Sequence, residues 1–278
     1  MKTRAKTFIV LLFVCLFMAM PLINASALEL TVEDMKENLV EKGLPEEYLQ
    51  KLSDTHIKSL YEDGCQYILE YEEETAYLSE FDEEADDTNP GIVPYGHIDE
   101  TMFKLKISKT TIKESNNLVR KVNLVVNYEW VKNPMNTKTD GITVNWDNSV
   151  FAYLGDSFYS YDEILVDGEY RKRVNECTAP DLAQQGGIGY SAEIGMYVGP
   201  FMSAGWARGT ASFYIIPTSN IYEKTSSTST HVTSINVNYV HDKTPIFGSI
   251  SFSVAGVGVT INAPVFNDSL SRTLNFYY

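Results

Sequence analysis

The chain is 278 residues long and carries 37 acidic against 22 basic residues, for a formal net charge of −15 at pH 7. Three of the basic residues lie within the first six positions, so the chain after residue 27 holds 19 basic and 37 acidic residues, a charge of −18. This balance argues against nucleic acid as a partner, because contacts to phosphate need a basic protein face.

The amino end has the three regions of a secretory signal peptide. Lys2 and Arg4 precede an apolar run at Phe8–Met20, and Ala25-Ser26-Ala27 follows as a cleavage site. The apolar run is shorter than the 18 or so residues of a spanning helix, and no later stretch approaches that length. The sequence therefore predicts a signal peptide at 1–27, export of the protein, and no transmembrane segment after cleavage.

A short helical region is predicted at 28–64. Thr31 and Asp34 have the spacing of a capping box, and Gly43 is a natural end for the first helix. Pro45 suits the first turn of a second helix, and a third follows before the end of the region. Three short helices bury little surface alone, so we expect them to form a small cap or to dock on a larger domain.

An acidic linker is predicted at 65–96. The chain has no basic residue between Lys58 and Lys104, and carboxylates are dense up to an Asn-Pro-Gly sequence. Mutual repulsion and few apolar residues favour a mobile segment in the second half, at 82–91. The aromatic residues of the first half leave room there for a strand or a helix.

The remaining chain, 97–278, has the pattern of an antiparallel β-sandwich. Short alternating segments are separated by Asn, Asp, Gly and Pro, as in strands joined by tight turns. Roughly eight to ten strands without intervening helices are typical of a sandwich or a barrel. We therefore expect a mainly β fold, an antiparallel sandwich with the helical region at its amino end.

The segment 248–264 changes the phase of its alternation halfway along. A two-residue turn at Ala255 and Gly256 would pair Val254 with Val257 and would gather the apolar side chains on one face. A β-bulge in one longer strand is the alternative. Each uniform arm has about six residues, fewer than the 9 to 11 of a membrane-spanning strand, so we expect no leakage of lipid vesicles.

Cys65 and Cys177 are the only cysteines outside the signal peptide. Export permits them to form a disulfide, which would stabilise the protein by about 3 to 5 kcal/mol. Their positions in the sequence leave open whether they meet.

The sequence lacks a clear catalytic or zinc-binding motif. Neither a complete G-x-S-x-G nor the HExxH or CxxC spacing occurs. Calcium is the only cofactor that the sequence leaves open, through carboxylates in the sandwich loops. Solvated turn residues are the alternative role of the four candidates, Asp140, Asp147, Asp156 and Asp162.

Aromatic residues are concentrated beside Asn and Asp at 127–163. Carbohydrate-binding surfaces combine these residue types, because sugar faces stack on rings while hydroxyls need oriented polar groups. Alternation sends about half of such rings into the core, and we expect Trp130 to be one of them. The candidate ligand-binding residues are Trp146, Asp147, Asn148, Tyr153 and Tyr161.

These observations favour a secreted, non-enzymatic β-sandwich that acts through its surface, in adhesion, envelope association or ligand binding. Its partner would be a cell-envelope glycan or another protein. One alternative is a secreted hydrolase with dispersed carboxylates, which would need two of them to converge in a cleft. Another is a membrane-active or pore-forming β protein, which would need long amphipathic hairpins.

Overall fold

The computed structural model describes residues 30–74, 96–97, 103–131, 139–166, 169–194, 207–242, 250–262 and 267–278. Within these ranges the protein has three helices and fifteen strands. The predicted signal peptide, 1–27, lies outside the described residues.

The helices follow one another directly at the amino end of the described chain. They are α1 (Val32–Glu41), α2 (Glu46–Lys51) and α3 (Asp54–Gln66). Thr31 and Asp34 form the predicted capping box at the start of α1, and Ser53 caps α3 by accepting a hydrogen bond from the backbone N–H of His56. Helix α3 runs two residues beyond the predicted limit of the helical region. None of the helices in the described ranges has the length and apolar character needed to cross a membrane.

The strands carry most of the fold. They are β1 (Ile68–Glu74), β2 (Gly96–His97), β3 (Phe103–Lys113), β4 (Val119–Trp130), β5 (Thr139–Asn145), β6 (Phe151–Tyr153), β7 (Tyr159–Val166), β8 (Glu169–Cys177), β9 (Leu182–Gln184), β10 (Gly187–Glu193), β11 (Ala207–Pro217), β12 (Val232–Asp242), β13 (Ser251–Ala255), β14 (Gly258–Asn262) and β15 (Asn267–Tyr277).

Two sheets form the body of the protein. The first sheet has the order β1-β3-β4-β11-β7-β8, with β6 also pairing with β11. The second sheet has the order β2-β15-β12-β5-β10-β9. All neighbours are antiparallel except β2 and β15, and β13 and β14 form a separate hairpin. The predicted fold class, a mainly β antiparallel sandwich with a small helical region, is confirmed.

The main hydrophobic core lies between the inner faces of the two sheets. Phe103 and Trp130 of the first sheet meet Tyr239 of the second, with 4.1 Å between the ring centroids of Phe103 and Tyr239. Trp130 is 3% exposed, as expected from the sequence, and its Nε1 donates a hydrogen bond to the Tyr239 hydroxyl at 2.9 Å. Burial of such rings is the main stabilising contribution of a sandwich core.

A second core forms where the helices cover the outer face of the first sheet. Leu39 and Leu60 pack there with Val125. The Tyr48 hydroxyl donates to Asn123 Oδ1 at 2.6 Å and accepts a hydrogen bond from Thr110 Oγ1 at 2.9 Å. The helical region is therefore docked on the sandwich.

Strand β1 occupies the first half of the predicted acidic linker. It is the edge strand of the first sheet and pairs with β3, where Glu70 forms an ion pair with Lys113, and Glu73 with Lys106. The acidic sequence is thus partly neutralised by the lysines of its neighbour. The predicted mobile segment 82–91 lies outside the described residues.

One end of the sandwich is closed by a buried ion cluster. The carboxylate of Glu223 lies 3.2 Å from Lys109 Nζ and 2.9 Å from Lys113 Nζ, and it accepts a hydrogen bond from Thr111 Oγ1 at 3.0 Å. Burial alone would raise the pKa of Glu223, but the two lysines outweigh this effect and lower it. The cluster satisfies charges that would otherwise be costly inside the protein.

The hairpin β13–β14 exists, but its predicted turn position is wrong by one residue. The turn lies at Gly256 and Val257, and Val254 pairs with Val259 instead of Val257. Gly256 has a φ of +63°, which glycine adopts without strain and alanine does not. The glycine therefore takes the first turn position, and Ala255 stays in the strand.

Candidate ligand pocket beneath helix α3

The structure places Trp146 in the core instead of on a binding surface. Its side chain is 5% exposed, and Nε1 donates to the carbonyls of Phe151 at 3.1 Å and Gln185 at 3.0 Å. Asp147 folds into the following turn, where Oδ1 accepts from the N–H of Ser149 at 2.8 Å and from its hydroxyl at 2.6 Å. Trp146 is therefore no stacking platform.

The other candidates of the aromatic segment lie apart from one another. Asn148 is partly exposed in the turn after Trp146, whereas Tyr153 packs against the core with its ring 6.3 Å from that of Phe213. Tyr161 is 3% exposed, and the Arg173 guanidinium lies 4.1 Å above its ring. The five predicted residues thus do not share one surface.

The four candidate calcium ligands are in four separate settings. Asp147 bonds to its own turn, and Asp156 is exposed in a turn with a φ of +62°. Asp140 and Asp162 are buried beside tyrosines. No cluster of three or more His, Cys, Asp or Glu residues suited to a metal ion occurs in the part of the chain that the structure describes.

Asp140 is the centre of a buried network at the end of the sandwich opposite the Glu223 cluster. It accepts hydrogen bonds from the Tyr239 hydroxyl and from the backbone N–H of Asp242, and His241 Nδ1 lies 2.9 Å from Oδ1. Burial raises the pKa of Asp140, while His241 and Tyr239 lower it by a smaller amount. These partners fix the carboxylate in place within the core.

Asp162 has a similar setting on the first sheet. It accepts hydrogen bonds from the Tyr128 hydroxyl, from Asn175 Nδ2 at 3.0 Å and from the backbone N–H of Glu193 at 3.1 Å. Burial raises the pKa of Asp162 to about 6. Asp140 and Asp162 are both buried, and neither lines the two cavities described below.

The two cysteines do not form a disulfide. Cys65, at the end of α3, and Cys177, at the end of β8, are both exposed free thiols.

A polar groove lies between α2 and the outer face of the first sheet, with Tyr161 in its floor. Its carboxylates lie beside cations: Glu47 pairs with Lys51 at 2.8 Å, and Glu163 pairs with Arg208. The hydrogen bond from Lys51 lowers the pKa of Glu47, so this carboxylate is held in its charged form. Ion-paired carboxylates of this kind are poorly suited to general acid catalysis.

A larger and more apolar cavity of about 480 Å³ opens between α3 and the connection from β6 to β7. We call it the α3 pocket. Its volume falls within the roughly 300–1,000 Å³ of small-ligand sites. The residues that line it are Ser53, Thr55, His56, Ser59, Lys121, Leu154, Gly155, Asp156, Ser157, Phe158, Tyr159, Thr178 and Tyr214.

The β6–β7 connection forms one wall of the α3 pocket. The backbone N–H of Leu154 donates to the Tyr214 carbonyl at 2.9 Å, and the N–H of Tyr214 donates to Ser157 Oγ at 3.0 Å. These bonds hold the connection against β11. Phe158 is buried at the base of this wall, and Tyr159 remains partly exposed at the start of β7.

Helix α3 forms the opposite wall. His56 lies in its first turn and is 5% exposed, with Nδ1 2.8 Å from Ser53 Oγ. Burial lowers the pKa of His56 to about 4, so the imidazole is neutral at pH 7. At the back of the pocket, Lys121 Nζ lies 4.6 Å from the ring centroid of Tyr214 and 2.7 Å from Asp63. The walls therefore present aromatic rings together with hydroxyl groups, a neutral imidazole and an ion-paired lysine.

None of the five residues predicted from the sequence to bind a ligand lines this pocket. Phe158 and Tyr159 belong to the aromatic segment at 127–163, whereas His56 and Tyr214 lie far away in the chain. The ring centroids of His56 and Tyr159 are 6.5 Å apart. The docking of the helices creates this proximity, and the helical pattern of α3 gave no sign of which sheet residues it would meet.

No protein-family model matches this sequence, and no curated protein matches it. Solved structures that resemble this one at a low level include a pore-forming protein, with a TM-score of 0.36 and 9% identity over 76% of this chain and 96% of that one. The C-terminal domain of the Streptococcus agalactiae AgI/II polypeptide BspA gives a TM-score of 0.31 and 8% identity over 64% and 60% of the two chains. With TM-scores below 0.5, these likenesses carry no argument about function.

Proposed function

We propose that this protein is an exported, non-enzymatic binding protein whose ligand site is the α3 pocket. The observation that carries the proposal is the pocket itself, a cavity of about 480 Å³ whose exposed lining is mostly apolar, with the rings of Phe158, Tyr159 and Tyr214 set among polar side chains. Cavities of this composition are the usual form of small-molecule sites. The predicted signal peptide supports export.

The chemistry of the walls favours a saccharide as the ligand. Tyr159 offers a partly exposed ring, and the hydroxyls of Ser53 and Ser59 supply neutral donors and acceptors. His56 is neutral at pH 7, and the charged residues of the lining are Lys121, which pairs with Asp63, and the exposed Asp156. An uncharged sugar ring can place an apolar face on the tyrosine and direct its hydroxyls to the serines. A cell-envelope glycan is therefore the proposed partner.

Binding is tested with the protein lacking residues 1–27 on a glycan array, followed by calorimetry with the best glycan. Tyr159→Ala should weaken binding at least about tenfold, because it removes the accessible ring of the pocket. Tyr222→Ala is the matched control, because Tyr222 is a 45% exposed tyrosine that does not line the pocket. Equal affinities of the two variants, or no binding to any glycan, would contradict the proposal.

Export is tested separately. Amino-terminal sequencing of protein from the culture medium should begin at Leu28, the residue after the predicted cleavage site. Recovery of the chain with Met1 intact, or only in the membrane fraction, would contradict export.

A further inference from the structure

Strands β12 and β15 enclose an unusual insertion. They pair without interruption from Val232 and Tyr277 to Asp242 and Asn267, yet 24 residues separate the last two along the chain. The described part of this insertion is the hairpin β13–β14. It forms its own two-stranded sheet and does not extend the ladder of the strands that precede and follow it.

The hairpin lies on the outer face of the second sheet, over glycines of β5 and β10. A Cβ atom at Gly189 would come within 2.5 Å of the Phe252 ring and 2.9 Å of Val259, and one at Gly141 would come within 3.2 Å of Ile261. The glycines thus leave room for the apolar side chains of the hairpin. The docked position buries Val259 and partly covers Ile250, Phe252 and Ile261, while the polar residues of the opposite face are exposed or half-buried.

A small set of hydrogen bonds joins the hairpin to the sheet. The Asn145 side chain accepts from the N–H of Val259 at 2.7 Å and donates to its carbonyl at 3.0 Å. The N–H of Gly186 donates to the Val257 carbonyl at 2.8 Å. Apart from Val259, the apolar side chains of the hairpin are only half-buried or exposed. An element held in this way can separate from the sheet without unfolding the sandwich.

Once separated, the insertion can continue the β12–β15 ladder. The register of that ladder, carried beyond its end, would pair Phe252 with Val257 and Ile250 with Val259. In the docked hairpin Phe252 pairs with Ile261. The two registers differ by four residues, an even number, so the same apolar side chains share one face in both.

The length and composition of the insertion match a membrane-spanning hairpin. Its 24 residues divide into two arms of 11 and a two-residue turn, and residues 244–266 contain no charged side chain. A strand that spans a bilayer needs about 9 to 11 residues. About six residues were expected for each arm from the sequence, because that count included only the uniform alternation around the turn. The arms are longer when the residues that lead to β12 and β15 are included.

We propose that the chain between β12 and β15 is a membrane-inserting β-hairpin, stored in the water-facing protein against the glycine-lined face of the second sheet. In a bilayer the apolar face around Phe252, Val259 and Ile261 contacts lipid, and Ser251, Ser253, Gly258 and Thr260 line water, with Phe247 and Phe266 on the water side nearer the ends of the arms. Because an isolated hairpin has open edges in lipid, several copies must close a barrel. This proposal does not depend on the α3 pocket.

The test measures release of a trapped dye from phosphatidylcholine vesicles by the protein lacking residues 1–27. Neutral lipid is used because the negative charge of the protein opposes anionic lipid. Asn145→Ala and Gly189→Leu each weaken docking, one by removing hydrogen bonds and one by filling the space under Phe252. Both should release dye faster than the parent protein, and electrophoresis of crosslinked vesicle samples should show oligomers.

A matched pair of charged variants tests the two faces. Ile261 would be the central residue of its 11-residue arm on the lipid side, and its neighbour Thr260 would face water. Ile261→Lys should slow dye release at least about tenfold, whereas Thr260→Lys should change it less than about twofold. The proposal is overturned if neither the parent protein nor the two docking variants release dye, or if both lysine variants have the same effect while remaining folded.

Discussion

The imidazole of His56 lies nearly parallel to the phenol ring of Tyr214, with 5.4 Å between the ring centroids and 8° between the planes. A stacked and buried imidazole is stable in this position only while it is neutral, because a protonated ring would carry an unsolvated charge. Burial lowers the pKa of His56 to about 4 for this reason. The contact between α3 and the first sheet should therefore be sensitive to acid.

The contribution of His56 to the stability of the protein should be lost as the pH decreases from 6.5 to 4. The folded-state pKa of His56 lies below its ordinary value of 6.5, so its contribution is complete above pH 6.5 and is lost toward pH 4. A shift of this size corresponds to about 3 kcal/mol. Urea unfolding of the parent and of His56→Gln at several pH values measures it. An identical pH dependence of the two proteins would show that His56 does not titrate in this way.

Asp162 should have the opposite effect over much of the same range. Its folded-state pKa of about 6 lies above its ordinary value of 3.8, so the stability it contributes is present below pH 3.8 and is lost as the pH rises to 6. In Asp162→Asn this loss is absent. The stability of the variant relative to the parent should therefore increase by about 3 kcal/mol between pH 4 and pH 7. A constant difference across this range would contradict the assignment.

Both tryptophans that flank 131–145 should be essential for stability. Trp146 is 5% exposed and Trp130 is 3% exposed, so alanine at either position leaves a cavity in the same core. We expect each substitution to cost about 3 to 5 kcal/mol. Denaturant unfolding followed by circular dichroism measures both. A Trp146→Ala protein with an unchanged midpoint would restore the surface position expected from the sequence.

Removal of the Glu223 carboxylate should strongly destabilise the protein. Glu223→Ala removes the buried carboxylate that Lys109 and Lys113 share and leaves them only the half-exposed Glu72 and Glu70 as partners. Loss of one partner from a buried ion pair costs about 3 to 5 kcal/mol, and the remaining carboxylates should keep the cost near the lower end of that range. Glu33→Ala is the control, because Glu33 pairs with Lys36 at the surface, where a salt bridge contributes at most about 1 kcal/mol. Similar unfolding midpoints for the two variants would show that the buried cluster contributes little.

Much of the sandwich could be predicted from alternation alone, including the burial of Trp130. The burial of Trp146 was also present in the pattern, because it continues the phase of Ile142 and Val144, which both face the core. The neighbouring Asn and Asp residues favoured the incorrect prediction that Trp146 lies on a ligand-binding surface. Asp147, for example, serves the turn that follows β5 and not a ligand.

The docking of the helices could not be predicted in the same way. Thr110 and Asn123 are polar and lie on the outer face of the first sheet, a pattern typical of solvent exposure. Both are fully buried beneath Tyr48, which satisfies their side chains with hydrogen bonds. A polar residue in the sequence can contact either water or a hydrogen-bonding side chain, and its identity does not tell which. The docking of the helices, and with it the α3 pocket, could therefore not be predicted from the sequence.

The order of strands in the second sheet also governs how the chain must fold. Strand β5 lies between β10 and β12, and β12 obtains its other neighbour from β15, the last described strand. Pairings so distant in sequence give a high contact order, so folding should be slow. Until residues 267–277 arrive, β12 presents an unpaired edge with Ile235, Val237 and Tyr239 on its inner face. A chain interrupted before that point would expose a template for aggregation.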